Sequence, residues 1–303
     1  MKDEFLKAEV RCGFTVSEKR KKIWKVQLEL LGELDRVCRK YRLRYYAVNG
    51  TLLGAVRHKG FIPWDDDLDV MMPREDYEKL REVSEREFTL PVYFQDGLEQ
   101  DDYYRMYGRL RNADTTAFPW IDADRRLING IFIDIFPIDG LGSRKKSRLK
   151  QQFMLKLLDD LAVVYTYKNA PTPAVKKIPA RLLMKLYCGL FSFRRFRELI
   201  REWKEHYELF GAREVFIFTH SRMLVFQKKQ LLRVRWLPFE DRRIPVPEGY
   251  DEILKQQYGA YMELPPEEKR GQHHSIFFDP DRPYSYYYGK LDKESFSAGV
   301  NTF

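Results

Sequence analysis

Residues 49–72 read NGTLLGAVRHKGFIPWDDDLDVMM, and the fold follows from the order of events in this stretch. Asn49-Gly50 breaks the short strand-like run Arg44-Tyr-Tyr-Ala-Val and opens a helix at Thr51, which Gly60 and Pro63 close. The alternation of Asp67-Leu-Asp-Val-Met then predicts a strand. On a strand Asp67 and Asp69 point to one side, while Leu68 and Val70 point to the other, into the core. Asp65 shares their parity and becomes a third ligand if the strand begins early; Asp66 has the opposite parity and is expected in solvent. Two coplanar carboxylates facing a cleft suit Mg²⁺ or Mn²⁺, because a hard cation wants oxygen ligands and relieves their repulsion. A polar turn ahead of a strand is the plain alternative. Gly50 and Thr51 stand at a helix mouth, where backbone N–H groups and the helix dipole suit phosphate oxygens.

Working outward, residues 23–41 carry apolar side chains at the helical period, and residues 74–86 also read as a helix. Residues 103–111 alternate, with Arg105, Arg109 and Arg111 on one face, so that face of the strand is expected to be basic. The run Ile131-Phe-Ile-Asp-Ile-Phe predicts a buried strand with Asp134 as its lone charge, and an unpaired carboxylate there needs a cation or a strong donor. From 143 to about 210 the pattern is helical, broken by Pro171, Pro173 and Pro179. Strand-like 215–218 and 223–226, a Pro-punctuated 239–247, a helix at 251–258 and a Tyr-rich tail follow. The whole reads as α+β, a mixed sheet flanked by helices, with a catalytic core in two parts (1–142 and 213–303) around a helical insertion (143–212).

A strand, Gly-Thr at a helix start, a strand with Asp-x-Asp and a later strand with one Asp resemble the nucleotidyltransferase fold. Thr51 replaces the usual small residue, and its distance from Asp67 is longer than the general pattern. A narrower match accounts for both departures. The blocks GTLLGAVRHKGFIPWDDDLDV, GIFIDIFPIDG and FEDRRIPVPEGYDEILKQQYG, with downstream LPPEEKR and His273-His274, resemble the LicD family of phosphotransferases, related to the fukutin-type enzymes. The matching blocks run from about residue 24 to 274, and the helical insertion is the least matched part.

That resemblance implies transfer of a phospho-alcohol, above all phosphocholine from CDP-choline, to a hydroxyl of a cell-surface glycan or its lipid-linked precursor, with CMP released. It implies Mg²⁺ or Mn²⁺ on Asp67 and Asp69, with Asp65 beside them, and Asp134 as a second ligand, as the base for the acceptor hydroxyl, or as both. Gly50, Thr51, Gly54, Arg57 and His58 fall on the nucleotide side, where Arg57, Arg105 and Arg109 are candidates to neutralise phosphate. Trp64, Tyr45 and Tyr46 are candidates to cage a quaternary ammonium.

Composition bounds the rest. With 303 residues, 44% apolar and 15% aromatic, the chain can build a sizeable core, which excludes disorder for most of it. No apolar run reaches the roughly 18–20 residues of a spanning helix, and the charged start is unlike a secretory signal, so a cytoplasmic protein is expected. Three scattered cysteines lack metal-ligand spacing, and neither a disulfide nor a zinc knuckle is expected. Lysine plus arginine exceed aspartate plus glutamate by 54 to 45, which favours an anionic partner. Residues 174–205 hold nine basic residues against three acidic ones, interleaved with leucine and phenylalanine, a pattern that suits an anionic membrane face. Recognition-module patterns for nucleic acid are missing, and none is expected as partner. Two rivals are weighed. A glycosyltransferase also uses Asp-x-Asp, although there the motif follows a nucleotide-binding α/β unit; a non-catalytic basic scaffold would have no need of intact Asp67, Asp69 and Asp134.

Overall fold

The helical period of residues 23–41 is realised as part of a longer helix, because Ser17 accepts a hydrogen bond from the Arg20 N–H and starts the helix earlier. The computed structural model describes residues 3–100, 103–123, 125, 127–219, 222–271, 276–290 and 296–297. A hairpin of β1 (Glu9–Arg11) and β2 (Phe14–Val16) leads into this helix, α1 (Glu18–Tyr41), which ends at Arg42 in the left-handed conformation. Then come β3 (Tyr46–Ala47), α2 (Asn49–Arg57), β4 (Asp69–Pro73), α3 (Arg74–Glu87), β5 (Val92–Asp96), β6 (Gly108–Asn112), β7 (Thr116–Pro119) and β8 (Ile131–Gly140). Three helices follow, α4 (Lys145–Thr166), α5 (Ala174–Leu190) and α6 (Phe193–Glu205). Strands β9 (Glu214–Thr219), β10 (Arg222–Gln227), β11 (Val234–Phe239) and β12 (Arg242–Pro247), helix α7 (Tyr250–Tyr258) and strand β13 (Ile276–Asp279) complete the described chain.

The apolar run around Asp134 becomes β8, buried along its whole length, and the main sheet is built on it. Strand β4 pairs with β8 in parallel, Asp69 opposite Asp134, while β6 pairs antiparallel with Arg109 opposite the same Asp134. Strand β9 joins β8 beyond these, at Asp139 and Gly140, and carries β10; β3 lies outside β4 and β5 outside β6. The largest core packs α1, β4 and β8 together with Val215, Ile217, Phe239, Ile244 and Ile253, so chain from both sides of the three-helix segment shares one interior. A second cluster lies under those helices, where Leu155, Met184, Phe196 and Ile200 meet Phe216 and Phe218 of β9.

Three local expectations change. Strand β4 begins at Asp69, so Asp67 lies in the loop ahead of it. Regular pairing in 103–111 is confined to Gly108–Asn112, and its arginines turn inward: Arg109 and Arg111 are buried and Arg105 is half-buried. Pro179 sits inside α5 instead of ending a helix; early in the helix it forgoes a single backbone bond. Among the described residues no helix is long and apolar enough to cross a membrane.

Candidate active site

One face of α1 sets the geometry of the acidic loop. Arg20 Nη1 and Trp24 Nε1 both donate to the Asp65 carbonyl, at 3.1 and 3.0 Å, and Gln27 Nε2 donates to the Asp66 carbonyl at 2.6 Å. Positions 20, 24 and 27 are one turn apart each, so three donors from a single helical face hold the loop in place. With its backbone held in this way, the loop brings carboxylate oxygens of Asp65, Asp66 and Asp67 within 4.8 Å of one another. Asp66 is buried here, contrary to its expected place in solvent, because the loop does not yet follow strand parity.

Asp69 is fastened from the other side by the junction of β3 and α2. The Val48 N–H donates to the Asp69 carbonyl at 3.2 Å, the Asp69 N–H donates to Thr51 Oγ1 at 2.8 Å, and Asn49 Nδ2 donates to Asp69 Oδ2 at 2.8 Å. Asn49 adopts φ 51°, a left-handed conformation that asparagine tolerates well. A Cβ at Gly50 would run into the Asp65 carboxylate, so glycine keeps this approach open. Asp134, the register partner of Asp69, accepts from Arg109 Nε at 2.6 Å and Nη2 at 3.4 Å, with both side chains buried. The guanidinium also lies 3.7 Å from the centre of the Phe132 ring.

These carboxylates feel one another. Burial first, then the charges of Asp66 and Asp69, push Asp65 up to about 7. Burial likewise raises Asp67 and Asp69 well above the usual carboxylate range; Asp65, Asp66 and Asp134 add to it at Asp67, and Asp67 and Asp134 add to it at Asp69. Tyr258 at the end of α7 is drawn into the same field: though 45% exposed, its phenol is raised by partial desolvation and by Asp65, Asp69 and Asp67. Five aspartates thus converge on two arginines, Arg109 beside Asp134 and Arg20 behind the loop. Such an excess of hard oxygen donors fits a divalent cation.

The tertiary structure therefore brings Asp65, Asp67, Asp69, Asp134, Gly50 and Thr51 together and gives the remaining candidates other surroundings. Gly54 packs against the Gly60 carbonyl, where a Cβ would collide. Arg57 Nη1 donates to the carbonyls of Tyr261 and Glu263 at 2.8 and 2.9 Å, tying α2 to the chain after α7. His58 Nε2 accepts from Arg57 Nε at 2.9 Å and the ring lies edge-on to Trp64; burial, then Arg57 and Arg11, lower it to about 4, so it is neutral. Arg105 is turned to Tyr104, Tyr167 and Asp122, and Arg109 to Asp134, which places neither on an open phosphate-facing surface. Trp64, Tyr45 and Tyr46 are buried in the core instead of lining an open cage. His273 and His274 lie outside the described residues. Arg20, Trp24 and Gln27 were not singled out from sequence, and Asn49 only as a strand breaker; the one available signal for the first three was donors sharing the buried face of an amphipathic helix.

Residues 42–157, which hold every one of these carboxylates, match the family model described as LicD/FKTN/FKRP, nucleotidyltransferase domain. Over 263 residues the chain is 31% identical to the lipopolysaccharide cholinephosphotransferase LicD of Haemophilus influenzae, a span of 82% of this chain and 93% of the relative. The chain belongs to the LicD family. Shorter matches to this LicD-family chain occur in two uncharacterised proteins, 42% identity over 55 residues in Rickettsia prowazekii (18% of this chain, 21% of the relative) and 46% over 48 residues in Rickettsia typhi (16% of each). The LicD-family chain is an enzyme, and the hairpin of β11 and β12, outside residues 42–157, braces the chain just ahead of its acidic loop. Glu240 at the hairpin turn accepts from the Phe61 N–H at 3.0 Å and pairs with Arg11 at 2.6 Å.

Proposed function

We propose that this LicD-family enzyme transfers a phospho-alcohol, phosphocholine from CDP-choline, to a hydroxyl of a cell-surface glycan such as lipopolysaccharide or its lipid-linked precursor, on a nucleotidyltransferase-like fold. The observation that carries the reading is the convergence of carboxylates from one clamped loop and two adjacent parallel strands. The name of the Haemophilus influenzae relative supports the choice of alcohol and acceptor class. Mg²⁺ or Mn²⁺ held by Asp65, Asp67, Asp69 and Asp134 would neutralise the diphosphate oxygens and make the phosphorus more electrophilic.

The chain's own groups do the remaining work. The N-cap Val48 has no side-chain acceptor for the first turn of α2, which leaves that turn suited to phosphate oxygens on the nucleotide side. Thr51 acts by fixing Asp69; Gly54, Arg57 and His58 act by holding α2 in place. The acceptor oxygen attacks the distal phosphorus, a new O–P bond forms, and the bond to the CMP oxygen breaks. The hydroxyl proton passes to a carboxylate, for which Asp134 is the candidate because Arg109 fixes its orientation beside the cluster.

The same reading extends to a membrane face, with the enzyme working peripherally at the cytoplasmic side of an anionic bilayer. Helix α5 buries only Met184, while Val175, Ile178, Leu182, Leu183, Leu186 and Leu190 are 55–80% exposed on its outer side. Helix α4, packed against it, exposes Leu149, Phe153 and Leu157 at successive turns. A surface helix normally turns polar residues to water. Exposed Lys145, Lys146, Lys150, Lys176 and Lys185 on the two helices complement anionic headgroups, so a lipid surface is the occupant the charge favours.

The test follows the phosphorus. With Mg²⁺, CDP-choline labelled at the distal phosphorus should put label in the glycan and leave unlabelled CMP. Free labelled phosphocholine with cytidylylated acceptor, or incorporation of sugar from a nucleotide sugar, would overturn the proposal. Asp67→Asn and Asp69→Asn should each lower turnover more than tenfold, about 1.4 kcal/mol or more, whereas Asp160→Asn on the exposed face of α4 should be silent.

A further inference from the structure

A groove of about 490 Å³ lies between β10 and α7 and reaches the carboxylate cluster through Asn49. Asn49 closes its near end with the side chain that donates to Asp69, and Tyr258, raised by the same carboxylates, stands beside it. The groove is therefore one side chain away from Asp69, and Arg222 lies among the residues of its β10 wall. Leu224 and Ile253 contribute apolar surface from the two elements.

Gln257 is the anomaly in this lining. Both its amide nitrogen and its amide oxygen are buried, and neither has a hydrogen-bond partner among the described residues. A buried carboxamide with both ends unmade is costly and calls for a partner that none of the described residues supplies. The side chain lines a groove that also has apolar walls, with a donor and an acceptor side by side just beneath that lining.

We propose that this groove takes the pyrimidine base of the nucleotide donor and that Gln257, its amide turning into the groove, reads its polar edge; the inference rests on the cytidine-nucleotide donor proposed above. Cytosine offers a ring acceptor next to an exocyclic amino donor, the complement of a carboxamide, and its flat faces suit apolar walls. A quaternary ammonium has neither a donor nor an acceptor for the amide. Asn49 then connects the two ends of the donor, touching the base groove on one side and holding Asp69 on the other.

Calorimetry on the full chain with Mg²⁺ tests this, using CMP and inorganic pyrophosphate as probes against wild type and Gln257→Met. Gln257→Met should weaken CMP at least tenfold, leave pyrophosphate unchanged, and leave the unfolding midpoint equal or higher, since it removes an unmatched amide without changing side-chain length. Equal CMP affinity in the two proteins overturns the base-reading role while leaving the donor proposal standing. A marked fall in the midpoint also overturns it, because the amide would then have a structural partner. Pyrophosphate binding without any CMP binding to wild type overturns the cytidine donor itself, and this inference with it.

Discussion

Asp134 illustrates how a single residue's need is met by another strand. Its carboxylate, buried in an apolar strand, requires a counter-charge, and Arg109 supplies a two-pronged one from the neighbouring β6. Arg109→Leu should therefore destabilise the protein by about 3–5 kcal/mol in urea titration, by leaving a buried charge without its partner. Replacing both members, Arg109→Met with Asp134→Leu, should restore most of that stability while abolishing transfer. A loss below about 1 kcal/mol for the single variant would mean that the pair does not anchor β6 to β8. The same residue shows what was legible: Ile-Phe-Ile-Asp-Ile-Phe declares that a partner exists. It does not say which one, since the Arg109 that meets it is 25 positions away and reads, on alternation alone, as part of a solvent-facing basic stripe.

At the scale of elements, the basic segment 174–205 divides into two helices of opposite character. Helix α6 buries Phe196, Arg197 and Ile200 against the sheet, and Arg197 donates to the Gln100 carbonyl. Arg195 is paired with Glu198 and Glu202, so much of the charge in α6 is spent within the protein. Helix α5 carries the exposed apolar side. Ile178→Ser, Leu182→Ser and Leu186→Ser together should lower partitioning onto phosphatidylglycerol vesicles at least tenfold, since each buried aliphatic side chain is worth on the order of 1.5–3 kcal/mol. Exposed positions away from the core change stability by only about 0.5 kcal/mol each, so the midpoint of unfolding should hardly move. Unchanged vesicle binding would remove the lipid assignment, and conversion of a wild-type dimer to a monomer by the same variant would assign the face to a second copy of the chain. The helices themselves were readable from their period, but their orientation was not, because α5 is apolar on both sides and periodicity cannot rank two apolar stripes.

Across the whole molecule, the clustered carboxylates make stability depend on pH and metal together. Asp65 in the metal-free protein is pushed up to about 7, above the ordinary value near 4. A group raised in this way contributes stability that is fully present below its unfolded value and is lost as pH rises through the folded one. Metal replaces those protons, so saturating Mg²⁺ should raise the unfolding midpoint by several degrees at pH 8 and by clearly less at pH 5.5. His58 acts with the opposite sign: lowered to about 4, its contribution is present above about 6.5 and lost as pH falls through 4. Comparing each pH with and without Mg²⁺ cancels the His58 effect, which does not involve the cluster. An equal Mg²⁺ shift at both pH values, or none, would count against these aspartates as the metal site.

By itself the sequence determined what backbone periodicity and local chemistry can encode. These are the amphipathic α1, the helix opening at Asn49-Gly50, the buried strand with one charge, and the crowding of carboxylates at 65–69. Those signals operate over a few residues, where the helical and extended backbones set which side chains share a face. Only the tertiary structure decided which groups meet across long separations: α1 clamping the Asp65 and Asp66 carbonyls, Thr51 and Asn49 serving Asp69, Arg57 reaching the chain after α7, and Arg109 facing Asp134. Such meetings depend on strand register and helix packing, where a shift of one residue reverses every side chain's direction, and no pattern within either segment carries that information.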